Sequence, residues 1–144
     1  MVTQTSIMLP VAALVAWTFI VLLLIPFQRV RAVMRRQVQA ADFQFGESTR
    51  VPPRVSLPNR NYMNLLEIPI LFYVGCLVLF AMQAVDAVAL GLAWTYVGLR
   101  TFHSIVHLSY NNVVHRLSLF AASNLVLMAI WVCIVMSALD AGGI

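Results

Sequence analysis

Three polar side chains recur at helical spacing in RNYMNLLEIP, residues 60–69: Arg60, Asn64 and Glu67. Positions i, i+4 and i+7 return to one side of an α-helix, so the three form a stripe about two turns tall. Beyond them, Leu71 and Val74 continue the same face as hydrocarbon. Polar groups are costly inside a membrane, and those kept there usually serve a function. As residue types, arginine grips carboxylates through two parallel hydrogen bonds, better than lysine does, and a glutamate suits an ammonium. The bland alternative is an interfacial cap, with Arg60 snorkelling to water and Glu67 answering the helix dipole. Glu67 lies past the first apolar residues of the run, which a simple cap does not need.

A second stripe runs through AWTYVGLRTFHSIVHLSYNN, residues 93–112, where Tyr96, Arg100, Ser104, His107 and Asn111 share one side and His103 sits at its margin. An arginine well inside a span must face a partner or water. The nearest partner by sequence is Glu67, and a purely structural Arg100–Glu67 pair is the competing explanation. His103 and His107 at i, i+4 are a weak metal signal in a chain with 3 histidines. Hydrogen-bonded structural histidines explain them better, and no metal is expected. Arg116 stands just before the last apolar run, at the level of Arg60, where positive charge also sets topology.

The elements that position these stripes follow from composition. The chain has 144 residues, is 62% hydrophobic and only 10% charged, and has a mean hydropathy of +0.90. A soluble protein of this size cannot hide so much apolar surface, so the chain reads as an all-α integral membrane protein. Four apolar runs, at about 6–27, 65–84, 86–110 and 117–139, are each close to the length a spanning helix needs. None alternates with period two as barrel strands do. The first run has no positive charge before it and is too long for a cleaved signal. The expected fold is therefore a four-transmembrane-helix bundle forming a single domain over 1–144. Residues 37–59, with Gly46, Pro52, Pro53 and Pro58, read as irregular within a cytoplasmic loop of about 28–60.

All 9 basic residues are arginine. Seven fall between the first and second runs and Arg116 between the third and fourth, so the first and third loops are expected in the cytoplasm and both termini on the other side. In a bacterium this would be the inner membrane. The net charge of +4 is explained by these flanking arginines, and no nucleic-acid partner is expected. Cys76 and Cys133 both lie in apolar runs and read as small buried hydrophobes.

Arg60-x-x-x-Asn64-x-x-Glu67, joined to VGLRTFHSIVH at 97–107 and then to Arg116 in RLSLF, resembles the MAPEG family, the membrane-associated proteins in eicosanoid and glutathione metabolism. Among its members the chain looks most like the microsomal glutathione transferases. The resemblance covers nearly the whole chain. It implies a homotrimer with glutathione bound between subunits near the cytoplasmic side, as co-substrate for a lipophilic electrophile. It implies that Arg60, Asn64 and Glu67, with Arg100 and His107, hold the tripeptide, that Arg29 or Arg31 also touches it, and that Arg116 stabilises the thiolate. Pro69 follows Glu67 sooner than in the microsomal transferases, and Tyr62 replaces a polar residue common there. The leading expectation is a glutathione transferase or peroxidase in contact with membrane lipid. The alternatives are a non-catalytic MAPEG-like lipid-binding protein and a small proton-coupled exporter. An exporter would want Glu67 near mid-membrane rather than near one edge.

Overall fold

In a computed structural model that describes residues 2–142, the chain forms five α-helices: α1 (Met8–Met34), α2 (Pro53–Leu66), α3 (Pro69–Ala81), α4 (Ala87–Leu108) and α5 (Val113–Gly142). No strand occurs among the described residues. Three segments are long and apolar enough to cross a membrane: Gln4–Met34, Pro53–Ala81 and Val113–Ala141. The third run of the sequence, α4, has 22 residues and a length of about 33 Å, enough to span. Its arginine and two histidines keep it less apolar than the other three.

The second span is broken. The segment read as irregular loop up to residue 59 is already helical from Pro53, because a proline fits the first helical position, where its missing N–H is not needed. The helix then stops at Glu67, which takes φ −79 and ψ −90, and α3 restarts at Pro69. Pro69 has no N–H to return to the turn before it, so the ladder cannot run through.

The rest of that loop is packed. Val38 and Val51 are buried with Ala32 and Val55, and Phe43 leans on them. A short 3-10 turn, Ala40–Phe43, is held by Asp42, which accepts from the Gln39 N–H at 2.9 Å and the Ser48 hydroxyl at 2.8 Å. Those two donors hold the Asp42 carboxyl below its usual range, the Gln39 bond contributing most.

The main core joins Leu14 and Val21 of α1, Phe72 and Leu79 of α3, Ala93 and Tyr96 of α4 and Ile130 of α5. Helix α4 packs chiefly on α5, and α1 on α2. Cys76 is buried and Cys133 half-buried, and both are free thiols. At the end away from the long loop, the Gln4 side chain pairs with both polar groups of the Val85 backbone, accepting its N–H at 2.9 Å and donating to its carbonyl at 3.3 Å. The α1 end, the α2 start and the α4–α5 turn meet at the opposite, arginine-rich end.

Candidate functional site

The polar stripe of α4 faces the inward side of α2, at Asn61 and Asn64, and forms a buried seam. Arg100 and Asn61 are 0% exposed, and His103 and His107 are 3% exposed. The Arg100 guanidinium donates through Nη2 to the backbone carbonyl of Asn64 and to its Oδ1, the latter at 3.2 Å. The break in the helix makes that carbonyl available. The Glu67 N–H still reaches Met63, but the next carbonyl along, that of Asn64, takes the guanidinium instead. Arg100 is therefore held by Asn64, and not by the Glu67 that sequence proximity suggested. The guanidinium also lies over the Phe120 ring of α5 at 5.6 Å, a cation–π contact that fixes its plane.

Beside it, the Ser104 hydroxyl donates to Asn61 Oδ1 at 3.1 Å. The His103 and His107 rings stack at 6.0 Å. Several buried donors in this seam have no acceptor among the described residues: Arg100 Nε and Nη1, and Asn61 Nδ2; Arg116 Nε, at the start of α5, likewise has none. Leaving such groups unpaired is costly, so they favour a site that receives an acceptor.

Arg116 is placed by the α4–α5 turn. Asn111 takes φ 50, a left-handed conformation asparagine tolerates, and its side-chain oxygen accepts from Arg116 Nη1 at 2.8 Å. Asn112 then caps α5 by accepting the His115 N–H at 3.1 Å.

Arg60 and Glu67 are exposed on the surface, while Asn64 between them turns half inward. The stripe is thus divided between an inner member bonded to α4 and two outer members. Arg29 is engaged by the loop: its Nη2 donates to Glu47 Oε1 at 3.2 Å, and its guanidinium lies 4.8 Å from the Phe43 ring centre. Arg31 instead faces a cavity with Arg35 and Arg54. Sequence reading did not single out Asn61 and Phe120. Asn61 lies one residue off the stripe, but its place four residues before the buried Leu65 marks the inward face of α2. Among the described residues, no three His, Cys, Asp or Glu side chains gather as a metal site.

A family model for the MAPEG family matches residues 7–136, and the chain belongs to that family. It is accordingly an integral membrane protein related to glutathione and eicosanoid metabolism. Neither the curated proteins nor the solved structures yield a match.

Proposed function

We propose that the protein is a glutathione-dependent membrane enzyme, a transferase or peroxidase acting on lipophilic electrophiles. The observation that supports this most is the buried seam of unpaired donors around Arg100, flanked by the outward Arg60 and Glu67. Glutathione carries two carboxylates, an ammonium and a thiol. Arginine forks suit the carboxylates and Glu67 the ammonium. In this reading Arg60, Asn64, Glu67, Arg100 and His107 bind the tripeptide, and Arg29 or Arg31 supplies a further contact.

A free thiol is mostly protonated at neutral pH, and a nearby cation favours the nucleophilic thiolate. Arg116 takes that role at the start of α5, with one nitrogen anchored on Asn111 and its Nε unpaired. In a transferase step the thiolate sulfur bonds to the electrophilic carbon, and the leaving group departs with its electron pair. In a peroxidase step two glutathiones give a disulfide, and a lipid hydroperoxide gives an alcohol and water. A site at the membrane edge lets a water-soluble thiol meet a lipid-dissolved partner.

A homotrimer belongs to the same reading. Arg60 and Glu67 on the surface of one protomer are charges at the border of an apolar span, and a neighbouring subunit would shelter them. The arginine-rich end would face the cytoplasm and both termini the other side.

Calorimetry in nanodiscs tests the reading. Glutathione at millimolar concentration should release heat and raise the melting temperature. Neither heat nor stabilisation would end the proposal. Binding without turnover of an activated aryl chloride or a lipid hydroperoxide would instead favour a non-catalytic lipid-binding role.

A further inference from the structure

A cavity of about 870 Å³ opens at the arginine-rich end, between the end of α1, the start of α2 and the α4–α5 turn. Arg31, Arg35 and Arg54 line it with Gln28, Tyr110 and Asn111, and no acidic residue does. Among the described residues, the arginine side chains that donate hydrogen bonds are Arg29, Arg100 and Arg116. Arg31, Arg35 and Arg54 therefore have no hydrogen-bond or ion-pair partner among the described residues. The nearby acids are already engaged, Asp42 by Gln39 and Ser48 and Glu47 by Arg29. The N-terminus of α2, the positive pole of its dipole, opens into the same space.

A second hollow, of about 690 Å³, runs along the outer side of α1. Its wall is Pro26, Phe27, Val30 and Met34, and it shares Arg31 and Arg35 with the first. Phe27, Val30 and Met34 follow helical spacing and make one ridge, with Met34 79% exposed. A cationic polar chamber thus continues through two arginines into an apolar trough. That is the shape and charge of an anionic amphiphile.

We infer that this pair of hollows binds an anionic glycerophospholipid, its phosphate among Arg31, Arg35 and Arg54 and an acyl chain along the Phe27–Met34 ridge. Basic pockets beside spanning helices recognise anionic headgroups through such charge. Arginine in particular makes paired hydrogen bonds to phosphate. A purely topological role would need the arginines only near the membrane, not gathered on one chamber without countercharge. Of the residues proposed to hold glutathione, Arg31 alone lines the hollows and Arg29, Arg60, Asn64, Glu67, Arg100, His107 and Arg116 do not, so the variants that test the site are placed at Arg35 and Arg54.

Native mass spectrometry and thermal shift of the whole protein in detergent test this. Phosphatidylglycerol, phosphatidylcholine of the same acyl chains, and inorganic phosphate are compared. Phosphatidylglycerol should stay bound and raise the melting temperature, and phosphatidylcholine should do neither. Arg35→Gln and Arg54→Gln should each weaken that preference roughly 5-fold, and the double variant roughly 25-fold, while Arg54→Lys keeps most of it. The single variants decide the matter if the double variant is not recovered. Equal retention of the two lipids, an unchanged preference in the variants, or full stabilisation by inorganic phosphate alone would overturn the inference. No step of the measurement involves glutathione, so its outcome is independent of the proposed activity.

Discussion

Arg100 is wholly buried, yet only one of its three nitrogens finds a protein acceptor. Such a group is half structural and half available, and Arg116, tethered through Nη1 alone, repeats the pattern. The two should nonetheless answer mutation differently. Arg60, Asn64 and Glu67 would touch parts of glutathione that do not change during reaction, whereas Arg116 would meet charge on sulfur. Arg116→Ala should therefore lower the rate more than it lowers glutathione affinity. Loss of one charge-assisted contact of about 1.5–3 kcal/mol corresponds to a roughly 10- to 150-fold slower step. The ultraviolet absorbance of bound thiolate should fall in parallel. If Arg116→Ala keeps rate and absorbance while Arg29→Ala or Arg31→Ala loses them, the thiolate role belongs to α1. At this scale the residue types were legible from spacing. The partner of Arg100 was not, because it is chiefly a backbone carbonyl freed by a helix break, and side-chain patterns do not display backbone acceptors.

The break itself belongs to the scale of the element. Pro69→Ala would restore the missing N–H and let α2 run into α3. Removing a proline from what would then be a helix interior favours folding by about 3 kcal/mol. The Asn64 carbonyl would then be claimed by its own helix, and Arg100 would lose a charge-assisted bond of about 1.5–3 kcal/mol. The two nearly cancel, so thermal stability should change little while glutathione affinity falls roughly tenfold. Unchanged affinity in a well-folded variant would show that the break does not shape the site.

The apolar runs made four helical segments readable in the sequence, but not the early start of α2 or the order of the long loop. Prolines in a sequence read as breakers, although Pro53 opens a helix, and the valines that fix the loop are too few to show a period. Asp42 gives that order a pH dependence. Its folded pKa lies below the unfolded value of about 3.9, so its contribution is present above that pH and is lost as pH falls through the folded value. Amide-exchange protection over residues 39–48, taken relative to the unstructured rate at each pH, should fall in acid, and Asp42→Asn should show the reduced protection already at neutral pH. Slow exchange in that variant would mean the valine cluster alone holds the loop.

For the whole molecule, the exposed Arg60 and Glu67 argue for assembly. Native mass spectrometry should find three copies, and Arg60→Ala with Glu67→Ala should weaken glutathione binding. A monomer or dimer alone in a mild detergent would remove the shared site.

The Gln4–Val85 clasp has a meaning in time as well. Its two ends are 81 residues apart in the chain. At about 5–20 residues per second, that stretch takes roughly 4–16 s to synthesise. For most of that interval α1 is already made, and the turn before it has no fastening. The clasp can close only when the α3–α4 turn stands at the same end of the bundle as the start of the chain, so it is among the last contacts that the growing chain can make.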